Sequence, residues 1–495
     1  MKDLTVYETF KGYDDIIIPP ELNKTMTVKA IVSPSMIDGR SLLFVTEKVK
    51  DKTRSFNTDA LKSTPFAIVA SKDCVVNSGS IPVIRAGSVR SALAYALSNA
   101  YEIDYEKIKF IGITGTNGKT TTATLIYRIL QGCGYKVGFI GTGKIISDRE
   151  YISGENYSMT TPDPTELYPA ISRMSKDGCK YIVMEVSSHS IALGKVAPIK
   201  FEYGIFTNLD NDHLDFHSDK EDYFRTKLKM FKSVKHGLFN LDDEYSRRAY
   251  ELAGCKKTSF GIIRQGDTWA SEINMRLNKT EFYYREKNII AKVSTSLTGA
   301  FNVYNSLAAL RCAIDLGVPP CVAKRCIEDT ENVEGRMEII RGDITVVIDY
   351  AHTPSAFYNC LKTLKQTINK GQKLTVVFGC GGDRDRSKRQ FFGKYAEMLA
   401  DLIIITEDNS RNEKFDSITA DILDGISKNN HIIVKDRESA IRYAIGTAAL
   451  DDVVAIVGKG HEKYKIENDR YIPFDEKQII ESALAERSNR YESKN

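Results

Sequence analysis

Short apolar runs recur along the chain, each closed by a glycine-bearing or polar turn. One series is KFIGITG from Lys109, KVGFIGT from Lys136, YIVMEVS from Tyr181 and YGIFTNL from Tyr203. A second is TVVIDYA from Thr345, LTVVFGC from Leu374, LIIITED from Leu402, HIIVKD from His431 and VVAIVGKG from Val453. Helical segments separate the runs. Strands that are apolar throughout and alternate with helices predict an α/β fold whose parallel sheets are covered on both faces.

The pattern divides the chain into three domains. Residues 1–106 read as a mixed α/β unit without a nucleotide motif. Residues 107–336 read as a central parallel sheet built around a phosphate loop, and residues 337–495 as a Rossmann-like set of strands and helices. The segment ENVEGR, Glu331 to Arg336, reads as the second hinge. No internal repeat or low-complexity tract interrupts this order, and the polar end ERSNRYESKN reads as a frayed helix or tail.

The chemistry starts at Gly115-Thr116-Asn117-Gly118-Lys119-Thr120, which follows the apolar stretch Ile111 to Thr114 and opens a helix ending near Leu130. Strand, glycine loop and helix in that order form a phosphate cradle. Glycines let backbone N–H groups approach an oligophosphate, and the helix N-terminus adds positive partial charge. Lys119 supplies a point charge and the Thr120 hydroxyl suits Mg²⁺. The spacing Gly-x-x-Gly-Lys-Thr departs from the usual Gly-x-x-x-x-Gly-Lys loop, which narrows the family.

Composition removes other classes. At 495 residues, 42% hydrophobic and 27% charged, the chain has the make-up of a soluble protein of two to four domains. A formal charge of +4, from 69 basic and 65 acidic residues, argues against a nucleic-acid partner. No apolar run reaches the roughly 18 residues of a membrane span. The start, MKDLTVYETFKGYDD, lacks a signal-peptide core, and the scattered cysteines form no Cys-x-x-Cys pair. A cytoplasmic protein with neither zinc site nor disulfide framework is expected.

Further polar groups follow the other apolar runs, where parallel strands present residues to a ligand crevice. Glu185 and Ser187 in EVSSH could hold Mg²⁺ and a substrate, or simply cap a strand end. His213 in NLDNDHLDFH could bind metal as a neutral imidazole, or be a structural hydrogen-bonder. Lys227, among the apolar positions of YFRTKLKMF, could be a snorkelling stem or a functional lysine. Asp349 precedes Ala351-His352-Thr353-Pro354, a strand-to-helix turn that could instead face a ribose or phosphate. GCGGDRDR from Gly379, DNSR from Asp408 and GKGHE from Gly458 lie at successive strand ends and suggest one shared crevice.

Taken together, TGTNGKTTT, TTPDPTEL, EVSSHS, FTNLDNDHLDFH, YFRTKLKMF, TGAFNVYN, VEGRME, DYAHTPSA, GCGGDRDRSKR, DNSR and GKGHE resemble the Mur ligase family in order and spacing. The resemblance covers about four-fifths of the chain, from near residue 107 almost to the end. TTPDPTEL, GCGGDRDR and GKGHE are similar to those of members that add the third peptide residue, rather than of sister ligases or folylpolyglutamate synthases. A nucleic-acid motor finds no support in the charge pattern. A non-catalytic relative remains an alternative, against which Lys119, Glu185, His213 and Lys227 all stand.

The resemblance implies an enzyme, an ATP-dependent amide ligase acting in peptidoglycan precursor synthesis on UDP-N-acetylmuramoyl-L-alanyl-D-glutamate and a diamino acid, most simply meso-2,6-diaminopimelate. ATP and Mg²⁺ are the implied cofactors, and a monomer acting in the cytoplasm without membrane or nucleic acid is implied. Gly115, Thr116, Asn117, Gly118, Lys119, Thr120 and Thr121 would hold phosphates, Asn302 and Asn305 the adenine side, and Arg336 and Asp349 the nucleotide on domain closure. Thr120, Glu185 and His213 would serve Mg²⁺, with Lys227 carbamylated by CO₂. Lys119, Lys227 and His213 would carry the catalysis. Ser35, Thr160, Thr161, Ser187 and Lys195 match positions that hold the muramoyl-dipeptide. Arg384, Asp408, Asn409, Arg411, Gly458 and Glu462 match positions that hold meso-2,6-diaminopimelate.

Two departures bear on these expectations. Ser410 replaces the proline of the family's Asp-Asn-Pro-Arg, which loosens the loop that aims Arg411 and leaves lysine, ornithine or lanthionine as alternative amino acids. In the first domain Pro34-Ser35-Met36 stands for Asp-Ser-Arg, and Lys195 stands where relatives carry Arg. The way UDP is held is therefore the least determined feature.

Overall fold

The structure, a computed structural model, describes residues 2–22, 27–31, 36–46, 55–153, 159–468 and 470–492. The expectation at Ser35 lies outside the described residues. Three large sheets organise them.

In the first, the strands Thr27–Ile31, Ser41–Phe44, Ala67–Ser71 and Val83–Ala86 pair in parallel, and Leu4–Thr5 and Ile16–Ile17 close the two edges antiparallel. The helix Val89–Ala100 covers this sheet and packs on the helix Pro164–Lys176 of the next unit. Phe44, Ile84 and Leu93 of the first unit share one core with Phe110, Met184 and Phe201 of the second.

The central sheet has eleven strands. Its parallel middle runs Val137–Gly141, Tyr181–Glu185, Lys109–Thr114, Phe201–Phe206, Val234–Asn240 and Lys256–Gly261. The strand Lys109–Thr114 that feeds the phosphate loop lies between Tyr181–Glu185 and Phe201–Phe206, in register at Ile113↔Glu185 and Thr114↔Phe206. That adjacency brings EVSSH and NLDNDH alongside the glycine loop.

Antiparallel strands extend both edges of this sheet. Thr268–Arg276, Lys279–Glu286 and Ile289–Thr295 form a meander on one side. They carry no continuous apolar run because only one face is covered. Buried and exposed positions alternate, as in Thr280, Phe282 and Tyr284 of the middle strand, all buried.

The third sheet runs Glu338–Arg341, Thr345–Asp349, Val453–Val457, Leu374–Phe378, Leu402–Ile405 and His431–Ile433, parallel except for the first pair. Successive strand residues alternate between two cores. Val347, Val376, Ile403 and Ala455 pack with Phe357, Leu361, Phe392 and Ile422 on one face. Val346, Ile348, Val377, Ile404 and Ile456 pack with Ile441, Ile445 and Ile480 on the other. Residues apolar at every position are thus explained by burial on both faces. Asp349, Phe378, Ile405 and Val457 end their strands at one sheet edge, so the polar loops that follow converge. Among the described residues every cysteine is free, and no helix is long and apolar enough to cross a membrane.

Candidate active site at the phosphate loop

The helix Lys119–Gly132 begins at Gly118, whose φ of 85° lies in the left-handed region. A side chain there would be strained, and its Cβ would fall 2.5 Å from Asn305 Oδ1. No side chain caps this helix start, so its first amides are left to a ligand, as an anion site requires. The loop is framed by Asn208: its Oδ1 accepts from Asn117 N at 2.9 Å and its Nδ2 donates to Asn117 O at 3.0 Å. Lys119 Nζ folds over the loop and donates to Gly115 O at 3.1 Å and Thr116 O at 2.9 Å.

Glu185 is 1% exposed. Its carboxylate accepts from Thr120 Oγ1 at 3.0 Å, from Thr142 N at 3.0 Å and from Thr142 Oγ1 at 3.4 Å. Among the described residues it has no ion-pair partner, which is an expensive state for a buried carboxylate. A divalent cation would relieve it. The same residues do not converge as a preformed cage of three metal-ligating side chains, so phosphate oxygens and water would complete a Mg²⁺ shell, as is usual for that ion.

His213 lies at a φ of 54°, with its Nε2 3.3 Å from Asp212 Oδ2. Burial, with Lys227 and His189 nearby, lowers its pKa to about 3 against the pull of Asp212. The imidazole is therefore neutral and available as a ligand. Lys227 is on the buried face of the helix Lys220–Lys229, beside Tyr223 and Phe224. Its Nζ donates to Gly115 O at 3.0 Å and sits 4.5 Å from the Tyr223 ring centroid. Burial, then the Lys119 charge, drives its pKa well below the usual value. A snorkelling stem would end in solvent; this one ends beneath the phosphate loop.

A cavity of about 720 Å³ opens above the loop and extends to the third sheet. Thr116 to Thr121, Thr160, Glu185, His213, Asn302, Asn305, Arg336, Asp349, Arg384, Asp408, Asn409, Arg411, Gly458 and Glu462 all line it. Asn305 Nδ2 donates to Asn302 Oδ1 at 3.0 Å, while its own Oδ1 accepts from Thr122 at 3.2 Å. Asp349 is spent on the backbone, accepting from Met337 N at 2.7 Å and Ala351 N at 2.8 Å. It ties the Met337 backbone to the end of its own strand, and burial raises its pKa despite Arg336.

Thr161, Ser187 and Lys195 do not line the cavity. Thr161 Oγ1 donates to Glu185 O at 2.9 Å and accepts from Ser187 N at 3.0 Å. Ser187 caps the short helix Ser188–Ala192. Lys195 is buried and pairs with Asp163 at 2.7 Å. They form a cluster beside the carboxylate rather than a wall of the cavity.

At the far end Arg411 adopts a φ of 52°. Its Nη1 donates to Gly382 O at 2.8 Å and Asn409 O at 3.3 Å, and among the described residues no carboxylate pairs with it. Burial and the neighbouring Arg384 both disfavour its charge. A half-buried guanidinium in that state is a receptor for an anion. Ser410 does not leave the loop slack. Its N–H donates to Asp408 O at 3.1 Å and its carbonyl accepts from Glu413 N at 3.0 Å. The Arg411 peptide is held on both sides, by Ile466 O at 3.0 Å and Asn468 N at 2.9 Å. Hydrogen bonds supply the stiffness that proline would otherwise give.

Several residues of the site were not singled out in the sequence. Thr142 completes the Glu185 cradle. Asp212 reaches across to the third unit, 3.7 Å from His352 Nε2 and 3.9 Å from Lys388 Nζ. Asp215 pairs with Arg384 at 3.2 Å, and Ser355 donates to Asp210. The signal was present in the three aspartates of LDNDHLD, which serve as contacts between two units; only the histidine among them invited a role. Lys459 lies between Gly458 and Gly460 and is fully buried.

Comparison with known proteins follows the same lines. The family description "Mur ligase middle domain" matches residues 113–313, and "Mur ligase, glutamate ligase domain" matches residues 335–460. The chain is 40% identical over 409 residues to the UDP-N-acetylmuramoyl-L-alanyl-D-glutamate–2,6-diaminopimelate ligase 1 of Clostridium acetobutylicum, covering 82% of this chain and 84% of that protein. It is 36% identical over 486 residues to the corresponding ligase of Clostridioides difficile, covering 97% of this chain and 99% of that one. A solved structure of a UDP-N-acetylmuramoyl-L-alanyl-D-glutamate–2,6-diaminopimelate ligase superposes with a TM-score of 0.67 at 26% identity, covering 98% of this chain and 99% of that one.

Proposed function

From the premise that this chain belongs to the Mur ligase family, we propose that it joins meso-2,6-diaminopimelate to UDP-N-acetylmuramoyl-L-alanyl-D-glutamate at the expense of ATP, in peptidoglycan precursor synthesis. One observation carries the reading. The phosphate loop, with the unpaired Glu185, and the third-sheet loops, with the unpaired Arg411, wall the same cavity. A group that needs a cation and a group that needs an anion thus face one space.

A carboxylate is inert to amines because oxide is a poor leaving group. Transfer of the γ-phosphoryl group of ATP to the glutamyl carboxylate gives an acyl phosphate. The amine of the incoming amino acid then attacks the carbonyl carbon, the tetrahedral intermediate collapses, and inorganic phosphate leaves with the electron pair of the broken C–O bond. The protein's tasks are alignment and neutralisation of phosphate charge. Lys119 and the loop amides hold the phosphates. Thr120, Glu185 and His213 would hold Mg²⁺, which would offset charge on the transferring group.

Lys227 fits a carbamate. Burial, and after it the Lys119 charge, push its pKa well below the usual lysine value, the direction that favours addition of the amine to CO₂. The nitrogen lone pair forms the N–C bond, one C=O pair moves onto oxygen, and the ammonium proton goes to water. The product is a carboxylate-like group beside Lys119 in place of an amine. Thr160, with Ser35, Thr161, Ser187 and Lys195, serves the muramoyl-dipeptide, Thr161 and Ser187 from beside the Glu185 backbone and Lys195 from its pair with Asp163. The elements of a single chain complete the cavity, which suits a cytoplasmic monomer.

The test is release of inorganic phosphate from ATP in the presence of UDP-N-acetylmuramoyl-dipeptide and a panel of meso-diaminopimelate, lysine, ornithine and lanthionine. Release that depends on both the dipeptide and meso-diaminopimelate is expected. Preference for another diamino acid would reassign the substrate, and no release with any of them would make the chain a binding protein.

A further inference from the structure

We propose that Lys459 is the positioning residue that sets amino-acid specificity, by locking Asn409 and Glu462 into one arrangement; this rests on the diamino-acid reading above. Lys459 is fully buried and does not wall the cavity. Its Nζ donates to Asn409 Oδ1 at 3.0 Å and to Glu462 Oε2 at 3.1 Å. Both of its hydrogen bonds thus go to residues that face the cavity.

Its effect on Asn409 is to fix which way the amide points. Asn409 Oδ1 accepts from Lys459 and also from Ile466 N at 2.9 Å, so both of its lone pairs are used. The Nδ2 is thereby directed at Glu462 Oε2, which it meets at 2.9 Å. Glu462 Oε2 then has two donors, one of them charged. Among the described residues its other oxygen meets only the Tyr350 hydroxyl, at 3.4 Å, and is the acceptor left for a ligand.

The same frame sets the distance to the guanidinium. Ile466 donates its N–H to Asn409 and accepts from Arg411 N with its carbonyl, at 3.0 Å. One residue, through its two peptide groups, thus ties the Asn409–Glu462 pair to the backbone that carries the Arg411 guanidinium. Arg437 anchors the frame from behind, with its Nη1 on Glu407 O at 3.2 Å and its Nη2 on Val457 O at 3.1 Å, the residues before Asp408 and Gly458. An anion receptor and an ammonium receptor at fixed spacing fit a carbon that bears both an amine and a carboxylate. The distal end of diaminopimelate is such a carbon. Lysine lacks its carboxylate, and 2-aminopimelate lacks its amine.

The experiment uses the full-length enzyme and the variants Lys459→Met and Lys459→Gln, the second keeping a hydrogen-bond donor in the buried slot. Initial rates are measured with meso-diaminopimelate and 2-aminopimelate, with circular dichroism melts as the check on folding. The unmodified enzyme is expected to favour diaminopimelate by about 100-fold in kcat/KM, the scale for a site whose polar group is left unpaired. Each folded variant should lower that ratio about tenfold or more, while KM for ATP and for the UDP-dipeptide changes less than about twofold. A uniform loss with the ratio kept would reduce Lys459 to a structural role and overturn the proposal. So would equal use of the two amino acids by the unmodified enzyme, a result that needs no variant. If the unmodified enzyme accepts neither but takes another diamino acid, the substrate reading itself fails, and that outcome is distinct from both.

Discussion

Arg336 and Thr120 stand 216 positions apart in sequence, and the arginine Nη2 donates to the threonine hydroxyl at 3.1 Å. Thr120 in turn donates to Glu185. Arg336 is thus tied through one hydroxyl to the buried carboxylate that we assign to Mg²⁺. The same guanidinium lies 4.3 Å from the Tyr350 ring centroid, so its planar shape is used as well as its charge. Arg336→Lys keeps the charge and loses the fork and the stacking. We expect it to lower kcat/KM for ATP about tenfold, and Arg336→Ala about 100-fold, a typical cost for a lost electrostatic contact. Steady-state rates at varied ATP test this, and a Lys variant with unchanged kinetics would show that only charge matters.

Lys119→Ala should cost at least about 100-fold in turnover, since the lost contact is to a phosphoryl group in transfer. Nucleotide affinity, read by titration calorimetry, should fall much less. A folded variant with near-normal turnover would remove Lys119 from the phosphate site.

For Lys227 the expected state is a carbamate, and ¹³C-labelled bicarbonate should give a carbamate resonance in the unmodified enzyme that Lys227→Ala lacks. The variant should be inactive, with partial recovery in added acetate or propionate. Full activity in buffer stripped of CO₂ and bicarbonate would contradict the assignment.

How much of this could be read from the chain depended on the range of the interactions. Strands buried on both faces announce themselves through local composition, so the two helix-covered sheets and the phosphate loop were legible. The meander from Thr268 to Thr295 was not, because its one-sided burial dilutes the apolar signal. The site residues at strand ends, such as Glu185 and Asp349, could be found because the topology of parallel sheets delivers them to one edge. Their actual partners could not. Nothing near Asp349 in sequence shows that Met337 N occupies its carboxylate, and nothing near Ser410 shows that Ile466 and Asn468 hold the next residue. Those bonds join residues that local sequence does not pair, and they decide that Asp349 holds the Met337 backbone and that the Arg411 loop is firm without proline.

Acid should destabilise the folded protein partly through His461. Burial, then the charges of Arg336, Lys144 and Lys459, lower its pKa from 6.5 to about 3, and its Nδ1 has no partner among the described residues. The unfolded chain binds a proton near pH 6.5, and the folded chain does so only near 3. The contribution to stability is therefore complete above about pH 6.5 and is lost progressively as pH falls toward about 3. His461→Phe should flatten the decline of Tm between pH 7.5 and 5 relative to the unmodified enzyme. Parallel declines in the two proteins would assign the acid sensitivity to other groups.

Arg411 should carry the choice between diaminopimelate and lysine. It is half-buried, its backbone is pinned by Ile466 and Asn468, and among the described residues no carboxylate forms an ion pair with it, although Asp408 and Glu462 favour its charge from a distance. The distal carboxylate of diaminopimelate supplies that anion through two parallel hydrogen bonds. Lysine would close the site with the guanidinium unpaired, a state that is costly for a charged group. Discrimination of about 100-fold or more in catalytic efficiency is expected on that basis. Arg411→Ala should abolish most of the difference, cutting diaminopimelate addition about 100-fold while lysine addition changes little. Arg411→Lys should fall between, because an ammonium offers charge without the matching fork. Equal use of the two amino acids by the unmodified enzyme would mean that the pinned loop aims the guanidinium away from the substrate, and would shift the burden of selection to Arg384, which Asp215 already holds at 3.2 Å.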